Sequence, residues 1–266
     1  MGIGTNGTSG PVGQRERQQL IRDRVVREGF VRADSLAEQF GVSLMTVHRD
    51  LDALQSQGWL RKVRGGATAL PSAVFHGDVS QRMAAMADVK QKLAAAALEL
   101  ITPGQTVMID ESTTCLSLAH RLAERAPLTV ITNSVPVIKL VAGQPGISLY
   151  ALGGTFYPAY EAFLGLHTAE AAGSVRADTL FMSTTAISHG RCYHQSQETV
   201  HVKRALIESA VRRVLLVDHT KFARQGLHTL TPLTTFDSVI VDDGLPTEEQ
   251  RRIRDLGVTL KIVRCR

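Results

Sequence analysis

Three cysteines in 266 residues, Cys115, Cys192 and Cys265, are odd in number and far apart. That excludes a disulfide framework and a metal-ligand spacing, and it suits a reducing cytoplasm. No stretch approaches 18 uninterrupted apolar residues, so nothing in the sequence is expected to span a membrane. Residues 1–13 lack a cationic region and an apolar one. Rich in Gly, Ser and Thr, they read as a flexible tail and not as a signal peptide. Internal repeats are absent, and no motif calls for a cofactor or a metal. What is present is enough apolar content, 44%, for a full core, and a length that favours two domains. The net charge of +5 is unevenly spread: 14–66 carries 10 Lys/Arg against 7 Asp/Glu, and the 200 residues beyond carry 20 against 18. The excess density lies in the small N-terminal segment, a hint of a polyanionic partner there.

Asp34 to Leu54 encodes two short helices joined by a tight turn. Asp34 can cap the first, whose Leu36, Ala37 and Phe40 share one side at helical spacing. Gly41 supplies the permissive backbone that ends it, and Ser43 can cap the second. There Val47, Leu51 and Leu54 fall at i, i+4 and i+7 and point to a core. Met45 and Arg49 point directly away, flanked by Thr46 and His48. A short helix held by its back edge, with polar and basic side chains outward, is what major-groove reading of double-stranded DNA requires. Gly58 to Ala67 then reads as a strand, a Gly65-Gly66 turn and a return strand. Arg61, Lys62 and Arg64 put three cations into four positions of this wing with no acid beside them in the sequence. Such a hairpin grips phosphates and fixes register.

Val42-Ser43, Thr46 to Leu51, Leu54, Gly58 and Arg64 to Ala67 resemble the N-terminal winged helix-turn-helix of the DeoR family of bacterial transcription regulators. The likeness spans about Arg15 to Thr68, so the DNA-binding domain is expected over 14–68. One departure matters: His48-Arg49 stands where the family has two arginines. A mostly neutral histidine lacks the bidentate fork, so a different operator base is expected at that point.

Residues 69–77 read as a linker and 78–266 as a second domain. Asp78 to Ile101 reads as one long helix ended by Pro103-Gly104, and a further helix is expected from about Cys115 to Arg125. Apolar runs at Thr106–Asp110, Leu128–Thr132, Ile147–Leu152, Thr179–Ser183, Val214–Val217, Ser238–Val241 and Thr259–Val263 alternate with helical stretches. That pattern predicts an α/β fold, an open parallel sheet with helices on both faces. Four strands end in small polar or charged residues: Asp110 to Thr114, Thr132-Asn133-Ser134, Gly153-Gly154-Thr155, and Asp218 to Lys221. Each alone is ordinary capping and turn chemistry. Four at equivalent strand ends, where an open sheet places its ligand crevice, point to a site for an anionic, hydroxyl-rich molecule such as a phosphorylated sugar or polyol.

These same motifs, with Glu198 and Lys203 on a later helix, resemble the DeoR-type sensor domain, which is similar in fold to ribose-5-phosphate isomerase and coenzyme A transferases. The resemblance implies that Ser112, Thr113, Thr114 and Lys221 contact an effector phosphate while Asp110, Asn133 and Asp218 contact hydroxyls. Thr132, Gly153, Gly154 and Glu198 complete the implied effector site. Glu111 departs from the family's small residue, and Thr184-Thr185-Ala186 from its small-acidic-Gly run. Both departures imply an effector less anionic than a typical sugar phosphate, or one bound differently. The expected function is a ligand-responsive repressor of a carbohydrate operon, acting as a homo-oligomer. Two rivals stay open: an isomerase-like or transferase-like enzyme with Glu111, Glu198 or Asp218 as base, and a ligand-free assembly platform.

Overall fold

Ile21, Val25, Leu36, Val47, Leu51 and Leu54 are all buried in the N-terminal unit of the computed structural model, which describes residues 12–56, 59–69 and 79–265. The chain divides into two units, Met1–Gly77 and Asp78–Arg266. The first runs α1 (Gln14–Glu28), β1 (Phe30–Arg32), α2 (Ala33–Phe40), α3 (Leu44–Ser56), β2 (Leu60–Val63) and β3 (Gly66–Ala69). Gly41 takes the left-handed conformation, φ 62°, and Val42 N–H returns to Ala37 O at 3.1 Å, closing α2. Ser43 Oγ accepts the Thr46 N–H at 3.2 Å, opening α3 as its spacing predicts. Asp34 is not the cap of α2. It sits in the first turn, accepts the Ser35 N–H at 2.8 Å and pairs with Arg32 at 2.7 Å.

The wing also differs from the two-strand expectation. Its sheet order is β1-β3-β2, and the turn is Arg64-Gly65, with Gly65 at φ 81°. Gly66 already belongs to β3, where a Cβ would lie 2.0 Å from the Val31 carbonyl oxygen. The second glycine therefore serves the close approach of β1, which was too short to be read from the sequence. The linker expected over 69–77 lies outside the described residues apart from Ala69, which ends β3. Most of the expected tail and Gly58 lie outside them as well.

In the second unit the expected long helix is two, α4 (Val79–Ala84) and α5 (Ala87–Leu98), parted at Met86 with φ 56°. The strands follow: β4 (Thr106–Ile109), β5 (Leu128–Thr132), β6 (Ile147–Ala151), the hairpin β7 (Thr155–Tyr157) and β8 (Ala162–Leu164), and β9 (Ala177–Met182). Then come β10 (Ala186–Ser188), β11 (Arg191–His194), β12 (Ala210–Val217), β13 (His228–Pro232), β14 (Ser238–Asp242) and β15 (Thr259–Val263). The helices among them are α6 (Thr113–Ala119), α7 (Val135–Val141), α8 (Leu166–Gly173), α9 (Gln197–Glu208) and α10 (Thr247–Asp255). The helix expected to reach Arg125 stops at Ala119, and a 3-10 turn covers Leu122–Arg125.

All seven apolar runs enter one parallel sheet, ordered β15-β14-β12-β9-β4-β5-β6. Leu93, Leu98 and Leu118 from α5 and α6 share a buried cluster with Ile109, Phe181, Leu216 and Ile240 of the strands. From β4 the chain moves outward through β5 and β6, then returns to β4's other side with β9 and continues to β12. The order thus reverses beside β4, and the crevice of an open parallel sheet lies at the carboxyl ends of such strands. Asp110, Asn133, Ser183 and Asp218 follow the last residues of β4, β5, β9 and β12.

Candidate functional site

Two surfaces, one in each unit, carry the chemistry. On α3, Val47, Leu51 and Leu54 face inward while Met45 is 64% exposed and Arg49 is exposed beside it. Ser43 is exposed, and Thr46 is half-buried with its hydroxyl 3.0 Å from Ser43 Oγ. His48 is half-buried, and its Nδ1 is shielded without a partner among the described residues. The buried side of α3 is also held by charge. Arg17 Nε meets Asp50 Oδ2 at 2.6 Å with both side chains buried, and Gln18 Nε2 donates to the other oxygen at 2.8 Å. A buried charge pair of this kind orients more than it stabilises. It joins α1 to α3 and so sets how the outward face is presented.

The three wing cations are not equivalent. Lys62 Nζ pairs with Asp52 Oδ1 of α3 at 2.6 Å, and its N–H donates to Gln55 Oε1 at 2.6 Å. The expectation of three equal phosphate contacts is corrected by this pair: the nearby acid comes from another element. Arg61 and Arg64 are exposed and pair with no carboxylate among the described residues. Lys62 is a latch from wing to helix; the two arginines are the open charges.

At the sheet's crevice, Asp110 is fully buried and every oxygen is engaged. Oδ1 accepts Ser112 N–H at 3.0 Å and Ser112 Oγ–H at 2.6 Å; Oδ2 accepts Ser183 N–H at 2.8 Å and Lys203 Nζ at 2.5 Å. Asp110 is therefore a brace, and the expectation that it touches ligand hydroxyls is revised. Lys203, 1% exposed, also binds Glu111 Oε1 at 2.9 Å and the Ser183 carbonyl at 3.2 Å. Burial disfavours its ammonium, but Asp110 and Glu111 more than offset that and raise its pKa. Glu111 thus turns inward to a cation and does not stand free against an anion. Ser112 Oγ caps α6 by accepting Cys115 N–H at 3.1 Å; Thr114 is buried, as is Thr132, whose hydroxyl accepts Ser134 N–H at 3.1 Å.

The expected anion-binding loops gain partners that the sequence reading missed. Lys90 of α5 is 4% exposed; its Nζ donates to the Arg82 carbonyl and lies 3.1 Å from Thr113 Oγ1. Burial, then the charges of Lys221, Arg82 and Arg224, partly countered by Asp218, bring its pKa down to about 8. Lys221 is lowered by burial and by Arg224 and Arg82, against the pull of Asp218 at 3.9 Å. Lys90, Lys221, Arg82 and Arg224 therefore share one neighbourhood, where Asp218 pulls against them while bound to the Thr220 N–H at 3.0 Å and to its hydroxyl. The 3-10 turn His219–Ala223 that carries Lys221 is fastened by His219, whose N–H and ring meet Asp242 at 2.7 and 2.6 Å.

The remaining expected residues differ in burial. Gly153 and Gly154 are exposed; Gly154 is at φ 144°, where a Cβ would lie 2.0 Å from Thr168 Oγ1. Glu198 is exposed on the first turn of α9 and accepts the Ser196 hydroxyl at 2.9 Å. Asn133 is fully buried and donates through Nδ2 to Phe163 O at 3.0 Å. Thr184 Oγ1 donates to Tyr193 O at 2.8 Å, and Thr185 N–H reaches the same carbonyl at 3.2 Å. Helical spacing could have revealed that the missed Lys90, and Lys203 whose role was left unassigned, turn inward. Lys90 falls in line with buried Leu93, Ala94 and Ala97, and Lys203 with Thr199, Leu206 and Ile207.

Residues 17–73 match the DeoR-like helix-turn-helix domain and residues 85–243 the DeoR C terminal sensor domain. An HTH-type transcriptional regulator of Escherichia coli K12 is 30% identical over 250 residues, 94% of this chain and 98% of that protein. The glycerol-3-phosphate regulon repressor of the same organism is 28% identical over 250 residues, 94% and 99%. Among solved structures, ribose 5-phosphate isomerase A of Methanocaldococcus jannaschii is 16% identical with a TM-score of 0.39, covering 52% of this chain and 55% of that one. With both domains matched and the sensor alone spanning more than half of the sequence, this chain belongs to the DeoR family of transcription regulators.

Proposed function

We propose that this regulator represses a carbohydrate operon by binding operator DNA as a homo-oligomer, and that a phosphorylated sugar or related metabolite controls it from the sensor crevice. The observation that carries the effector reading is the cation cluster. Lys90 and Lys221 act on each other and feel Arg82 and Arg224, Asp218 pulls against them, and Lys90 reaches Thr113. The like charges of buried Lys90 and half-buried Lys221 disfavour each other, and a doubly charged phosphate removes that repulsion. Repression of a glycerol-3-phosphate regulon by a relative is in keeping with an effector of this class. Within the site we assign Ser112, Thr113, Lys90 and Lys221 to the phosphate, and Asn133, Gly153, Gly154 and Glu198 to the rest of the ligand. DNA reading is assigned to Met45, Thr46, His48 and Arg49, and phosphate grip to Arg61 and Arg64.

The enzyme reading finds little support. Glu111 is paired with Lys203, Asp218 holds Thr220, and Thr184–Ala186 supplies no carboxylate. A general base needs an acceptor within reach of a substrate proton. The test incubates the pure chain with phosphorylated sugars and reads three signals: turnover, thermal stabilisation and release of operator DNA. Stabilisation and release without turnover are expected. Turnover would replace the regulator reading with the enzyme, and no response would leave an assembly platform.

A further inference from the structure

The crevice has a second polar end, and its chemistry is opposite to that of the cation cluster. Ile109 of β4 is in register with Thr132 of β5, so the residues that follow, Asp110-Glu111 and Asn133, leave adjacent strands at the same edge. Glu111 is 6% exposed and Asn133 fully buried, yet Glu111 Oε2 and Asn133 Oδ1 have no hydrogen-bond partner among the described residues. Both atoms are acceptors. Glu111 Oε1 is satisfied by Lys203 and Asn133 Nδ2 by Phe163 O, so each side chain is anchored through one atom and offers the other. A buried acceptor left unmatched costs free energy, more so when it is charged. The local charge is also unbalanced: among the described residues Asp110 and Glu111 share the ammonium of Lys203, leaving one net negative charge. A neutral hydroxyl would meet the acceptors but not the charge, whereas an ammonium meets both.

We propose that the effector carries a protonated amine as well as its phosphate, and that Glu111 and Asn133 receive it, which makes the ligand class an amino sugar phosphate. This rests on the phosphate reading of the cation cluster and adds the selectivity at the other end. It also gives a physical meaning to Glu111: one oxygen is fixed by Lys203, and the other brings the charge that an amine would answer.

The experiment is calorimetric titration of the full chain at about pH 6.5, where a free amine is a cation. Glucosamine, galactosamine and mannosamine 6-phosphates are compared with the matched glucose, galactose and mannose 6-phosphates. At least one amine is expected to bind tenfold or more tightly than its hydroxyl partner, and Glu111→Gln to bring that ratio near one. If Glu111→Gln does not fold, Glu111→Asp keeps a charge for Lys203 but withdraws Oε2, and it must lower the same ratio. Equal binding of every pair to the wild type overturns the amine inference and leaves the phosphate reading standing. So does a selective wild type whose ratio survives the Glu111 variants. If no hexosamine phosphate binds, the inference falls. The phosphate reading falls with it only if inorganic phosphate stabilises the wild type no more than Lys221→Ala.

Discussion

Lys90 is the residue whose state most directly reports on the crevice. Its pKa is lowered to about 8, first by burial and then by Lys221. In the unfolded chain it titrates near the ordinary lysine range, so between those values the unfolded state binds more protons and stability rises with pH. Ligand binding has the opposite sign. An anion favours the charged lysine, so phosphate affinity is greatest below pH 8 and falls by up to about tenfold per pH unit above it. Titrations of inorganic phosphate at several pH values should show that fall in the wild type and lose it in Lys90→Met. A flat wild-type profile would remove Lys90 from the site. At the other end of the chain, Arg49→Ala is expected to weaken specific operator binding by about 1–3 kcal/mol at fixed salt. Arg49 is exposed and opposite Val47 and Leu51, so circular dichroism should show an unchanged fold. Wild-type affinity in that variant would refute the assignment of α3 as the reading helix.

Among elements, the wing tests how a helix and a hairpin divide labour. Arg61 and Arg64 carry the open charges, so neutralising either should weaken all DNA sequences about equally and reduce the log K against log salt slope by roughly one. Lys62→Ala should change the slope less, because its ammonium already answers Asp52. Equal slope changes in all three variants would mean that the latch opens on DNA. This division was invisible in the sequence, where Arg61, Lys62 and Arg64 form one basic run and Asp52 belongs to another element. The long-range parts of the fold were hidden for similar reasons. Seven sheet strands were legible as apolar runs, the inner five because strands covered on both faces are mostly apolar, and the part-exposed edge strands β6 and β15 because they keep short β-branched and aliphatic runs. The hairpin β7–β8 and the strands β10, β11 and β13 are short, mixed in character and paired antiparallel, so neither run length nor alternation marks them. The break at Met86 has no Gly or Pro to announce it. Of the crevice, the strand-end loops were legible as loops. The buried cation Lys90 was passed over, although its spacing with Leu93, Ala94 and Ala97 marks it, because a charge on a helix is ordinarily on its solvated face.

At the scale of the whole molecule, effector control of a regulator requires that the two units answer each other. One helix-turn-helix covers only a few base pairs, so a symmetric oligomer reading two half-sites about one helical turn apart is expected. Sedimentation at micromolar concentration should show more than a monomer, and the operator footprint should be two-fold. Coupling then has a thermodynamic requirement that needs no knowledge of the route between sites. If the cognate phosphate lowers operator affinity by some factor, commonly about 5–150-fold, saturating operator must lower affinity for that phosphate by the same factor. Lys221→Ala separates the halves of this linkage. Lys221 lies in the second unit and Met45 and Arg49 in the first, so ligand-free operator affinity should stay near the wild-type value. The variant should lose ligand-induced release and the stabilisation of about 2.7 kcal/mol expected at a hundredfold excess over Kd. A variant that still releases DNA at the wild-type metabolite concentration would remove Lys221 from the effector site. A loss of operator affinity that keeps growing with metabolite concentration and reaches no plateau would mean that the metabolite competes with DNA directly, and does not act through the crevice.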